Sequence, residues 1–170
     1  LIEQKEENKV IEIIWVARFI NWKHPEIVLK LAKNLKRQDY KFKIKMLGTG
    51  VLEDKIKNEI KRQSLSDCVE VVGQVPSNKV KNYMEKANIF IGTSDSREGW
   101  GAVINEAMNA GCAIVANQKM GSVPFLIKHN ENGIMYKNYK DFEEKVKLLI
   151  DNKELRYKFS KNAYQSITQE

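Results

Sequence analysis

From Val10 to Ala17 the chain reads VIEIIWVA, an unbroken apolar and β-branched run of the kind a strand buried on both faces requires. The next stretch changes period. HPEIVLKLAKNLKRQ sets Ile27, Leu31 and Leu35 on one side and lysines on the other, an amphipathic helix with Pro25 in its first turn. The same alternation then repeats. Phe42 to Leu47 predicts a second strand closed by GTG, and LEDKIKNEIKRQS a second helix. Val69 to Val72 predicts a short strand ending at Gly73, and Pro76-Ser77 opens a helix through Ala87 with Ser77 as its cap. NIFIGTS is the fourth strand, AVINEAMNAG a helix ended by Gly111, and CAIVAN the strand after it. A loop at Gly121, the apolar VPFLI, the turn HNENG and a short strand near Ile134 to Tyr136 follow. Two helices finish the chain, Asp141 to Asp151 and Glu154 to about Thr168, and the last is so weakly amphipathic that it is expected to pack against something absent here. Strands alternating with helices at this spacing predict an α/β, Rossmann-like fold: a mainly parallel sheet flanked by helices and joined by right-handed crossovers. The strand order is not legible.

At 170 residues, 42% of them hydrophobic and 30% charged, the chain is one globular domain with a single core. No apolar run approaches the roughly 20 residues that a membrane span needs. LIEQKEENK lacks the order of a signal peptide and reads as a frayed, charged lead-in, and the missing Met suggests a piece of a longer protein. Cys68 and Cys112 sit in apolar surroundings without metal-ligand spacing, so they read as small buried hydrophobes in a reducing, cytoplasmic setting. His24 and His129 are isolated, and no metal site is expected. The net charge of +7 comes from lysines at helix-face spacing rather than from one patch interleaved with aromatics, so no nucleic-acid partner is expected. A basic surface would also suit an anionic membrane, and peripheral association of the parent protein at the inner membrane face is kept in view.

In such a sheet, ligands bind where the carboxyl ends of the strands meet the following loops. Three of those loops are unusual: RFINWK, GTG and SDSREGWG. In the last, Gly99 and Gly101 flank Trp100 just ahead of a helix, where backbone amides and the helix start favour a phosphate. Glu98 and Glu106 fall at the same cleft mouth. A carboxylate beside a phosphate site suits sugar or ribose hydroxyls, because it accepts two hydrogen bonds from adjacent OH groups. Taken alone, such a pair is more often a helix cap. RFINWK adds Arg18 and Lys23, a fork and a point charge suited to a diphosphate.

The succession R-x4-K, LGTG, VVGQVP, EGWGAVINEAMNAGCAIVA, a Gly loop and NGIMY resembles the C-terminal domain of the retaining glycosyltransferase family 4, the "group 1" enzymes. The match runs from about Val10 to Tyr136, and its most specific part is the E-x7-E element from Glu98 to Glu106. The resemblance implies that residues 1–170 are the nucleotide-sugar-binding half of a two-domain GT-B enzyme, with an N-terminal acceptor domain lying outside this chain. It implies retaining transfer of a hexosyl group from a nucleoside diphosphate sugar to a glycan or lipid-linked acceptor held by that other domain, in glycan, capsule or lipopolysaccharide assembly. By the same resemblance Arg18 and Lys23 bind the diphosphate, Glu98 the transferred sugar and Glu106 the ribose. Gly101, Ala102 and Val103 meet the phosphate, Gln74 and Val75 the base, and Gly48, Gly50, Gly99 and Trp100 complete the donor site. No cofactor or metal is implied, since two cations and a helix start stabilise the leaving charge.

This chain departs from the family pattern in places. His24 replaces a Gly that often follows the Lys, and TSDSRE carries an extra residue ahead of Glu98. Trp100 stands for a common Phe. Phe125 stands for a Glu, which alters any acidic donor contact from that loop. The alternatives are another GT-B nucleotide-sugar enzyme, such as a 2-epimerase or a phosphorylase, and a non-catalytic nucleotide-sugar-binding domain. Isolated, the domain is expected to bind donor without catalysing transfer, because its cleft has one wall.

Overall fold

The computed structural model describes residues 2–169. Its elements are α1 (Ile2–Lys5), β1 (Ile11–Val16), a 3-10 turn (Asn21–Lys23), α2 (Pro25–Arg37), β2 (Phe42–Leu47), α3 (Glu53–Arg62), β3 (Val69–Gly73) and α4 (Ser77–Lys86). There follow β4 (Ile89–Gly92), α5 (Val103–Asn109), β5 (Ala113–Asn117), α6 (Val123–Leu126), β6 (Ile134–Tyr136), α7 (Tyr139–Asp151) and α8 (Lys153–Thr168). The strands form one sheet in the order β3-β2-β1-β4-β5-β6, and every pairing is parallel. This is the doubly wound order, in which the chain starts at the middle, winds outward one way, and returns to wind the other.

Side-chain alternation along β1 divides the core in two. Ile11, Ile13 and Trp15 pack on the face covered by α2, α3 and α7, whereas Ile14 joins the face covered by α4 and α5. The buried stripe of α2 is Val28, Leu31, Ala32 and Leu35, so Ile27 is only half-buried at its margin. Cys68 and Cys112 are both buried free thiols. No helix among the described residues is long and apolar enough to cross a membrane.

The structure corrects three local expectations. Ser77 does not cap α4; Pro76 occupies that position, and its extended backbone offers its carbonyl to the N–H groups of Lys79 and Val80. The apolar stretch VPFLI, for which the sequence predicts no element, holds the four-residue helix α6, with Pro124 in its first turn. α8 packs on its own chain, against α5, β5 and α7. Its weak amphipathicity follows from a buried stripe that mixes Phe159 and Ala163 with Arg156 and Ser160.

Among the described residues, the lead-in is docked rather than frayed. Lys5 is 4% exposed and donates to the carbonyls of Met84 and Ala110, near the ends of α4 and α5, where helices leave backbone oxygens without partners. Burial lowers the Lys5 pKa, partly offset by nearby Cys112 and Glu85. Asn88 ties the same segment to β4 through Lys5 O and Asn8. Glu6 meets Arg156 of α8 at 2.8 Å, both side chains buried. Charge concealed its docking, because a buried ion is legible only from its partner. Glu6→Ala would strand the Arg156 charge, so we expect a loss of about 3 kcal/mol in unfolding free energy by urea titration. A loss below about 0.5 kcal/mol, the level of an ordinary surface change, would show the segment undocked.

Candidate functional site

The strand order turns back between β1 and β4, and the loops leaving their carboxyl ends diverge over the gap. A cavity of about 460 Å³ lies there, lined among others by Arg18 and Lys23 from the β1 loop and Glu98, Gly101, Ala102, Val103 and Glu106 from the β4 loop and α5. A second cavity of about 440 Å³ adjoins it, sharing Val16, Ala17, Arg18 and Val80 and extending to Gly48, Gln74 and Val75. Residues from the four loops that follow β1, β2, β3 and β4, and from α5, therefore border one trough of two adjoining cavities at the carboxyl ends of the strands.

Lys23 ends the 3-10 turn and pairs with Glu98 across the gap, each side chain 14% exposed. Burial and the neighbouring Arg18 lower the Lys23 pKa, and Asp95 offsets part of that fall. The carboxylate and ammonium thus neutralise each other across the cleft. Arg18 and Glu106 are exposed at its mouth.

Of the remaining expected residues, Gly48, Gln74 and Val75 border the second cavity, and Gly50, Gly99 and Trp100 border neither. A Cβ on Gly48 would lie 1.9 Å from Ala17 O, and one on Gly50 2.6 Å from Phe19 O. Those glycines admit the β1 loop, which is bound by Phe19 N–H donating to Thr49 O at 3.0 Å. Gly48 still borders the second cavity, whereas Gly50 borders neither. Gly101, with φ 72, turns the β4 loop into α5. A Cβ on Gly99 would meet nothing within 4 Å, so the backbone requires no glycine there. Trp100, 52% exposed, lines neither cavity, and its ring lies 5.7 Å from that of Phe125.

Several groups escaped the sequence reading. Ser77, Lys81 and Asn109 also line the first cavity. Thr93 Oγ1 donates to Lys23 O and accepts from Trp15 Nε1 at 2.8 Å, pinning the Lys23 turn to β4. Asp95 N–H donates to Trp22 O at 3.0 Å, and Asp95 Oδ2 lies 2.9 Å from His24 Nε2. A polar TSD directly after a buried strand was the available signal; its partners became visible only with the β1–β4 pairing. Among the described residues no group of three His, Cys, Asp or Glu side chains is placed to hold a metal ion.

Comparison with known proteins bears on this arrangement. The model of the family "Glycosyl transferases group 1" matches residues 2–166. The chain is 32% identical over 128 residues to the amylovoran biosynthesis glycosyltransferase AmsK of Erwinia amylovora, covering 72% of this chain and 31% of that protein. It is 33% identical over 159 residues to an uncharacterized glycosyltransferase of Haemophilus influenzae, covering 92% of this chain and 43% of that one. The chain thus spans less than half the length of these curated relatives. Among solved structures, Staphylococcus aureus TarM in complex with UDP superposes with a TM-score of 0.84 at 24% identity, over 96% of this chain and 34% of that one. The C-terminal domain of LpcC from Francisella tularensis gives 0.80 at 22% identity, over 99% of this chain and 91% of that one. At those identities the structures establish the fold, a GT-B-type Rossmann-like unit. With its family model matched almost from end to end, the chain belongs to the group 1 glycosyl transferases.

Proposed function

We propose that this chain is the donor-binding, C-terminal half of a retaining glycosyltransferase of family 4 that transfers a hexosyl group from a nucleoside diphosphate sugar during polysaccharide assembly. One observation carries the reading: Arg18, Lys23, Glu98 and Glu106 border a single trough at the sheet's switch point. Further support comes from the relative named for amylovoran biosynthesis and from the fold neighbour solved with UDP.

In this reading the base enters the second cavity at Gln74 and Val75, and Glu106 accepts from the ribose hydroxyls. The diphosphate meets Arg18, Lys23 and the backbone of Gly101, Ala102 and Val103. Glu98 accepts from hydroxyls of the transferred sugar. The bond between the anomeric carbon and the phosphate oxygen breaks as an acceptor hydroxyl oxygen bonds to that carbon from the same face. The electron pair leaves on the phosphate, where the two cations stabilise it without a metal ion. The acceptor's proton passes to the departing phosphate oxygen. No protein nucleophile is assigned. The acceptor, a glycan or lipid-linked sugar, belongs to the other half of the enzyme, so the isolated chain binds donor without turning it over.

Donor entry must part Lys23 from Glu98. The ammonium then exchanges a carboxylate for a phosphate, and the freed carboxylate takes sugar hydroxyls. A bare nucleoside diphosphate supplies only the first half of that exchange.

Isothermal titration of this chain at low salt against a panel of nucleoside diphosphates should find a binder. Arg18→Ala and Lys23→Ala should each weaken it about tenfold or more. Absence of binding across the whole panel would sink the reading. The two glutamates should separate by ligand. Glu106→Gln should weaken the diphosphate and its sugar conjugate alike, whereas Glu98→Gln should leave the bare diphosphate as tight or tighter and weaken only the conjugate. Equal losses for both ligands in Glu98→Gln would remove Glu98 from the sugar subsite.

A further inference from the structure

His24 lies where the cation-bearing and carboxylate-bearing loops meet, and neither of its ring nitrogens takes part in the donor contacts proposed above. It directly follows the 3-10 turn that Lys23 ends and precedes Pro25, and its backbone is left-handed, at φ 53 and ψ 54. Residues with a side chain seldom adopt that conformation. The ring supplies a reason for it. Nδ1 lies 2.8 Å from Glu26 Oε1, and Nε2 lies 2.9 Å from Asp95 Oδ2. An ionised carboxylate only accepts, and a neutral imidazole has one N–H and one lone pair. Both contacts are satisfied together only when both nitrogens carry protons.

The charged surroundings favour that form. Facing the ring are Glu26 from the first turn of α2 and Asp95 from the β4 loop; Lys23 precedes it on its own turn, and Glu98 lies beyond Lys23. Burial opposes the ring's charge, but hydrogen bonds to Glu26 and Asp95 outweigh it and raise the pKa above its ordinary 6.5. Asp95 is held ionised, its pKa lowered first by the Arg97 side chain and further by the Arg97 N–H and His24, against the effect of burial.

We propose that the doubly protonated His24 is a positioning residue for the donor site, clasping the Arg18–Lys23 loop onto the Asp95–Glu98 loop so that Lys23 is correctly presented to the donor phosphates. The inference rests on the donor reading above. Its pH consequence has a definite sign: the clasp is complete while the ring is doubly protonated and is lost as pH rises through the raised pKa. The phosphate of a nucleoside diphosphate works in the opposite direction, gaining negative charge above about pH 6. The ratio of wild-type to variant affinity removes that contribution.

The test is titration of this chain with UDP from about pH 5.5 to about pH 8.5, bracketing the histidine range, for wild type, His24→Gly and His24→Asn. Glycine relieves the left-handed backbone, so His24→Gly should be at least as heat-stable as wild type. It should nevertheless bind UDP about five- to tenfold more weakly at the acid end, the net size of one ordinary hydrogen bond, with the ratio falling toward one at the alkaline end. Asparagine tolerates the same backbone and donates one hydrogen bond without titrating. His24→Asn should therefore recover part of the affinity and show no histidine inflection. A purely structural role predicts the reverse order, and His24→Gly matching wild type at acid pH, or a ratio constant across pH, overturns the clasp. If wild type binds no UDP at any pH, nuclear magnetic resonance of the free protein decides. A His24 ring titrating above 6.5, with the amides of Lys23 and Asp95 shifting at the same midpoint, supports the clasp. A ring titrating at or below 6.5, or amides that stay put, overturns it even if another nucleotide proves to be the donor.

Discussion

Everything at this site depends on β1 lying between β2 and β4 rather than at an edge of the sheet. Right-handed crossovers carry the chain outward from β1 to β3 and then force it back across to β4 on the other side. The two loops that leave β1 and β4 must therefore part company, since their helices go to opposite faces. α2 packs with one half of the core and α5 with the other. The trough is the space left between them, and the chemistry-bearing residues gather there because both loops begin at its floor.

The side chains of the cleft hold one another in place. Lys23 and Glu98 are paired, Thr93 holds the Lys23 carbonyl, and Asp95 holds Trp22 and His24. Such mutual neutralisation answers the cost of keeping two partly desolvated charges apart. It also makes the glutamate and lysine a coupled pair, so that anything occupying the cation's place changes what the carboxylate is free to accept. The glycines of the neighbouring loop serve this organisation from beneath. Gly48 and Gly50 let the β1 loop lie on the β2 loop at distances no side chain would allow.

The far end of the domain is held with comparable care. Lys5 joins the ends of α4 and α5 through Met84 O and Ala110 O, while the other ends of those helices reach the trough at Ser77 and Val103. The lead-in therefore fastens the two helices whose opposite ends shape the cleft. α8 completes that layer through Arg156, whose Nη1 donates to Leu149 O at 2.7 Å while Nη2 meets Glu6.

The residues determined the element types because period is a local property: continuous apolar runs became central strands, and lysine-striped segments became helices with their apolar side inward. Arg18, Lys23, Glu98 and Glu106 were legible for a related reason, as polar groups placed directly after or near buried strands. Tertiary structure alone decided the strand order, and with it which loops meet. It separated Gly48, which the neighbouring backbone requires, from Gly99, which it does not. It turned Trp100 outward onto Phe125 and drew the charged lead-in under the helix ends. It also brought Asp95, 71 residues away, to the His24 ring that Glu26 meets locally. Hydrogen-bond partners and close backbone approaches join positions tens of residues apart, and no local period or composition encodes such distances.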